Sequence, residues 1–281
     1  MAYDTLTLDV NAHVATVTLN RPDALNTMNR VFWQEMVDVF TQIDETAAVR
    51  AVVLASTGKH FTAGIDLNDL GDVVLASEGD EGRRREQLRR LVLELQESFN
   101  ALERCRAPVL AAVHGGCIGG GIDMITAADM RYCTGNAFFC IHEINVGMTA
   151  DVGTLQRLPH LIPSGVAREL AYTGRRMYAE EAKEVGLVNA VFETHESMLE
   201  TVRGIAGQIA SKSPLAVTST KHLLNYGRDH GVRETLAYQQ VWMGAVSHGG
   251  DMAKYFEAKS RGEEAEYEDL TPRGRGEGIG S

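Results

Sequence analysis

Pro108-Val-Leu-Ala-Ala-Val113 runs directly into His114-Gly-Gly-Cys-Ile-Gly-Gly-Gly-Ile-Asp123. A short unbroken apolar run that ends at a glycine cluster reads as a strand buried on both faces. Five glycines fall within the seven residues Gly115 to Gly121. Glycines let a backbone approach a ligand closely and free amide N–H groups to point at it. A helix that starts at Gly120 or Gly121 places its positive end where those groups gather. Acids follow at Asp123, Glu143 and Asp151 in mostly apolar surroundings. N–H donors beside carboxylates suit enolate chemistry: donors hold the oxyanion while acids move protons.

Outward from this block the chain alternates short strands with helical patterns, an α/β arrangement. Val14 to Leu19 alternates like a strand, and the loop Asn20 to Asn26 carries a Pro break. Val31 to Ile43 places Phe32, Met36, Val39, Phe40 and Ile43 on one helical face. Ala51 to Ala55 is a second buried strand, followed by the loop Thr57 to Gly64, and Phe61-Thr-Ala-Gly-Ile-Asp66 again sets amides beside an acid. Arg84 to Arg104 reads as a long amphipathic helix with Leu88, Leu91, Val92, Leu95, Phe99 and Leu102 as its stripe. Gly71 to Arg85, acidic then basic, reads as mobile. A helix to about Ala128 and a strand at Met130 to Cys133 follow. Beyond Asn189 the pattern turns helical, at Met198 to Ala210, Pro214 to Tyr226 and Val232 to Val246. Residues 1–195 are expected to form the core, 196–261 a helical region and 262–281 a disordered tail.

The bulk numbers exclude several classes. A length of 281 residues with 44% hydrophobic content supports one large domain, or one domain plus an appendage, with a substantial core. A net charge of −11 argues against nucleic-acid or anionic-membrane binding. No apolar run is long enough for a membrane span. Cys105, Cys117, Cys133 and Cys140 have neither CxxC nor zinc spacing, so free thiols in a reducing cytoplasm are expected. No signal, transit or peroxisomal pattern is evident. The glycines fit neither a dinucleotide fingerprint nor a phosphate loop, and no G-x-S-x-G elbow occurs. His142-Glu143 begins like a zincin motif, but Val146 stands where the second histidine belongs, so no metal is expected.

Taken singly, each acid has an ordinary role. Asp123 suits the first turn of a helix, Glu143 a surface, and Asp151 a helix N-cap. His60 and His114 flank the loops and suit a structural hydrogen-bonding role as well as a functional one. Three acids so near a glycine-rich donor set favour a site.

These residues carry a resemblance. Over about residues 5 to 260 the chain resembles the enoyl-CoA hydratase/isomerase (crotonase) superfamily. The matching signatures are Asn20-Arg-Pro, Phe61-Thr-Ala-Gly-Ile-Asp-Leu67, His114 to Asp129 and Gly153-Thr-Leu-Gln-Arg-Leu158. Within it the chain looks most like the Δ3,5-Δ2,4-dienoyl-CoA isomerases, through Ala137-Phe-Phe, Ala150 to Pro159 and Tyr226 to His230. The discriminating residue is Asp151, where hydratases typically carry glycine. Two departures are Asn145, where those isomerases carry Asp, and His142, where lysine is usual.

The resemblance implies a crotonase-like spiral of ββα units with a helical C-terminal trimerisation region, as a homotrimer or a homohexamer of two trimers. It implies an acyl-CoA substrate in fatty-acid β-oxidation and no cofactor, coenzyme A being part of the substrate. It implies Asp123, Glu143 and Asp151 as catalytic acids and backbone N–H groups of Ile65 and Gly120 as the oxyanion hole. Arg21, Ala63, Gly64, Asp66 and Gly119 would contact substrate. Two other readings are a 2-enoyl-CoA hydratase using Asp123 and Glu143, and an acyl-CoA-binding protein without turnover.

Overall fold

A computed structural model describes residues 2–66, 80–246 and 249–272. Its main sheet has six strands, all parallel except the first pair. Their order is β1 (Leu6–Asn11), β2 (Val14–Leu19), β3 (Ala51–Ser56), β4 (Val109–Val113), β6 (Met130–Thr134) and β9 (Ala190–Phe192). Every residue of β3 and β4 is buried, as a strand covered on both faces requires.

A second, smaller layer joins β5 (Gly116–Ile118), β7 (Phe138–Cys140) and β8 (Met177–Tyr178). Single bridges extend it, pairing Met28 with Ile65 and Thr62 with Cys117. Successive turns of the chain thus add a main-sheet strand, then a short second-layer pairing, then a helix. This is the spiral that the resemblance implies, and a structural repeat without a sequence repeat.

Helix α1 (Arg30–Glu45) starts at Asn29, whose side chain accepts from the Phe32 N–H, and buries Phe32, Met36, Val39, Phe40 and Ile43 as its periodicity predicts. Helix α2 (Glu81–Arg104) starts three residues ahead of the predicted Arg84, because Asp80 caps it by accepting from Arg83 N–H. Residues 81–85 of the stretch expected to be mobile are therefore helical, and 71–79 lie outside the described residues. The stripe buries Leu95, Phe99 and Leu102, while Leu88 stays exposed.

Helix α3 (Gly120–Ala127) leaves the glycine cluster, and the short α4 (Thr154–Arg157), α5 (Ser164–Thr173) and α6 (Ala179–Glu184) follow. Helix α7 (His195–Ala210) packs Met198, Val202 and Ala206 on Ala51, Val53, Leu110, Ala112 and Tyr132 of the main sheet. Then come α8 (Pro214–Asp229), α9 (Val232–Ala245) and α10 (Gly249–Arg261), the last not foreseen from the sequence.

Of the tail expected to be disordered from Gly262, residues 273–281 lie outside the described residues, while parts of 263–272 contact two core-flanking arginines. Arg50 donates to Tyr267 O at 2.7 Å and to Asp269 Oδ1 at 2.7 Å, and Arg106 donates to Thr271 O at 3.3 Å. These are backbone and charge contacts, which apolar patterning does not reveal. Among the described residues no helix is long and apolar enough to cross a membrane.

Candidate active site

Both glycine loops leave the C-terminal ends of neighbouring parallel strands, β3 and β4, so they lie side by side. Phe61 N–H donates to His114 O at 2.9 Å, Thr62 N–H to Gly116 O at 3.1 Å and Ile118 N–H to Thr62 O at 3.2 Å. His60 Nδ1 accepts from Gly116 N–H, and the His114 ring bonds Gly58 O, so both histidines hold loops. In the first loop Met28 N–H donates to Gly64 O and Asp66 N–H to Met28 O, a pairing that omits the Ile65 N–H. In the second, Gly120 is the first residue of α3, so its N–H has no partner within the helix.

The loops touch at Gly64 and Gly119. Both have positive φ, +89° and +53°. A Cβ on Gly64 would lie 2.8 Å from Ile118 O, and one on Gly119 3.3 Å from Glu143 Oε1 and 3.9 Å from Gly64 Cα. Only bare backbone fits there. The Glu143 carboxylate therefore sits against the junction that presents Ile65 and Gly120.

Asp123, in the first turn of α3, is 1% exposed. Its Oδ1 accepts from Thr154 N–H at 2.6 Å, while Oδ2 is buried with no hydrogen-bond partner. Burial lifts its pKa to about 6, against the lowering effect of the Thr154 bonds and with a further push from Asp151. Glu143 opens a 3-10 turn, Glu143–Val146, and its Oε2 is also buried without a partner. Burial, then the charges of Asp123 and Asp151, raise its pKa to about 7. Asp151 is half-buried, and burial raises it as well. It is not an N-cap, since Gly153 occupies that place before α4. Three protonatable carboxyls thus share one low-dielectric region beside free N–H donors.

Arg21 and Asp66 form an ion pair at 3.7 Å beside the first loop, with Arg21 Nη1 also donating to Thr27 O at 2.5 Å. Ala63 N–H donates to Leu25 O at 3.0 Å, fixing the same loop. Asn145 points elsewhere: its Nδ2 donates to Gly174 O at 3.2 Å, a bond an Asp carboxylate could not make. An open cavity of about 850 Å³ between α2 and α8–α9 includes none of the three acids. Thr154 carries a contact that the sequence did not assign. It lies in the quoted Gly153 to Leu158 signature, but its pairing with Asp123 spans 31 positions and leaves no local mark.

A family model described as enoyl-CoA hydratase/isomerase matches residues 9–259. The chain belongs to the enoyl-CoA hydratase/isomerase family. It is 49% identical over 254 residues to the mitochondrial Δ(3,5)-Δ(2,4)-dienoyl-CoA isomerase of Homo sapiens, covering 90% of this chain and 77% of that one. The peroxisomal Δ(3,5)-Δ(2,4)-dienoyl-CoA isomerase of Arabidopsis thaliana is 42% identical over 256 residues, covering 89% of this chain and 92% of that one. Among solved structures, an enoyl-CoA hydratase from Bacillus anthracis superposes with a TM-score of 0.84 at 31% identity, covering 94% and 99% of the two chains. Family membership and the superposition agree with the expected crotonase-like α/β fold. The two isomerases are named for organelles, which does not support the cytoplasmic expectation.

Proposed function

We propose that this chain is a Δ3,5-Δ2,4-dienoyl-CoA isomerase, converting a 3,5-dienoyl-CoA thioester into the 2,4-dienoyl-CoA. The observation that carries the reading is Asp151, a third carboxyl group, half-buried and near enough to act on both Asp123 and Glu143. The names of the 49% and 42% identical relatives support the same reaction.

The thioester oxygen accepts from Ile65 and Gly120 N–H. Losing one such donor costs about 3 kcal/mol of transition-state stabilisation. Glu143 takes a proton from C2, and the electron pair of that C–H bond delocalises as a dienolate reaching C6. Asp151 gives a proton to C6, leaving double bonds at C2 and C4. One C–H bond breaks and one forms, with no net electron transfer, so the reaction calls for no redox cofactor and coenzyme A is the carrier. The shift spans four bonds, too far for one carboxylate to serve both ends. Burial suits the two roles: it brings Glu143 to about 7, where a base works at neutral pH, and it favours the protonated form of Asp151. Asp123, held by Thr154, tunes the other two.

Arg21, Ala63, Gly64, Asp66 and Gly119 form the substrate-contacting wall in this reading, with Arg21 toward the coenzyme A. The division into a 1–195 core and a 196–261 helical region is also proposed, with the latter joining copies into a trimer or hexamer. Exposed Val232, Leu236 and Val241 on α9, which buries no side chain, support that assembly. Free buried cysteines support a reducing compartment, and we keep the cytoplasm as the proposal.

The test is an ultraviolet assay of purified protein with 3,5-octadienoyl-CoA beside crotonyl-CoA. Growth of conjugated 2,4-dienoyl absorbance is the expected result. Brisk hydration of crotonyl-CoA with no dienoyl signal would assign the chain to the hydratases, and binding without either reaction would leave a non-catalytic acyl-CoA-binding protein.

A further inference from the structure

We infer that a polar stripe on α2, Gln96, Asn100 and Glu103, acts with Arg157 as the positioning apparatus for the turn that carries Asp151 and Thr154. The inference rests on the reading of Asp151 and Asp123 as the acids of the reaction. The stripe residues are spaced four and three apart, so they share one face of the helix. Gln96 Nε2 donates to Asp151 O at 2.7 Å. Asn100 Oδ1 accepts from Arg157 Nη2 at 2.8 Å. Glu103 accepts from Arg157 Nε and Nη2, both at 3.1 Å. Arg157 Nη1 reaches back to Val152 O at 3.5 Å. One helix face therefore grips the segment 151–157 at its start and at its end. Between those grips Thr154 N–H meets Asp123 Oδ1.

The arrangement is more than a surface ion pair. Arg157 is buried, and Glu103 is shared between Arg157 and Arg228 of α8. Burial alone would push the Glu103 carboxyl up, yet the two guanidiniums hold it below its usual value. A planar fork that engages Asn100, Glu103 and Val152 together fixes orientation as well as charge, which a lysine cannot reproduce. The Arg157 cation also favours the ionised form of Asp123. Arg228 ties the same carboxylate to the C-terminal helices, so the acid-bearing turn, α2 and α8 form one connected unit.

The test compares wild type with Gln96→Ala and Arg157→Lys by amide hydrogen exchange over residues 150–158, with kcat, KM and Tm measured alongside. Gln96 is half-buried, so its truncation is expected to leave Tm close to wild type. Exchange at 151–157 should quicken locally in both variants, with kcat reduced roughly tenfold or more and KM little changed. Wild-type exchange in this segment, or a lower Tm with unchanged kcat, would overturn the inference. If exchange quickens but the wild-type protein does not isomerise 3,5-dienoyl-CoA, the positioning role stands and the assigned reaction falls.

Discussion

Glu143 and Asp123 hold their protons more tightly in the folded chain than in the unfolded one, because burial disfavours their charged forms. Between 4.5 and about 7 for Glu143, and between 3.8 and about 6 for Asp123, the folded state binds more protons than the unfolded state. Their contribution to stability is fully present below those ranges and is lost as pH rises through them. Glu143→Gln removes the ionisation, so the variant should be more stable than wild type at pH 8 by about 3 kcal/mol, with the difference fading toward pH 4. Denaturant melts at the two pH values check this, and equal stability at pH 8 would contradict it. The same variant should be inactive, since the carboxylate that costs stability is the proposed base.

Among the elements, the junction of the two loops carries the proposed catalytic geometry. Gly119 lies at φ +53° and ψ −122°, a conformation that an L side chain adopts only under strain. Gly119→Ala should lower stability by about 1–3 kcal/mol. Its methyl would crowd Glu143 Oε1 and part the loops, so kcat should fall on the order of a hundredfold. Steady-state kinetics with thermal melts would show both, and wild-type kcat would remove Gly119 from the site. This junction was legible in the sequence, because five glycines crowded behind a buried apolar run mark a backbone that must pass close to something. The amphipathic helix α1 was legible too, because its apolar spacing is set by one face against one core. The second layer was not. Met28 with Ile65 and Thr62 with Cys117 are single bridges between distant positions, too short for any periodic pattern. Nor was the bond between Thr154 and Asp123, which only the folded spiral brings together. The strand Leu6–Asn11 alternates Leu6, Leu8 and Val10 with polar residues, yet it buries little beyond Leu6 because it pairs at the edge of the sheet.

For the whole molecule, the parallel sheet aligns the two loops, and the segment after α10 returns to clamp the far end of that sheet. Arg50 joins Ala210 O, Tyr267 O and Asp269, linking β3, α7 and the chain's return in one side chain. Arg50→Ala should cost about 1.5–3 kcal/mol, the range for hydrogen bonds to a charged group. Unchanged unfolding in a denaturant titration would make the clamp a surface contact. In the proposed mechanism two acids divide the labour at opposite ends of a dienolate. Its most direct test is the reaction of 3,5-octadienoyl-CoA in D₂O by wild type and Asp151→Asn, with the product and recovered substrate read by NMR. Wild type should place deuterium at C6 of the 2,4-dienoyl product. The variant should exchange C2 hydrogens of the substrate through Glu143 while forming little product. Undiminished 2,4-dienoyl-CoA formation by Asp151→Asn would contradict the account.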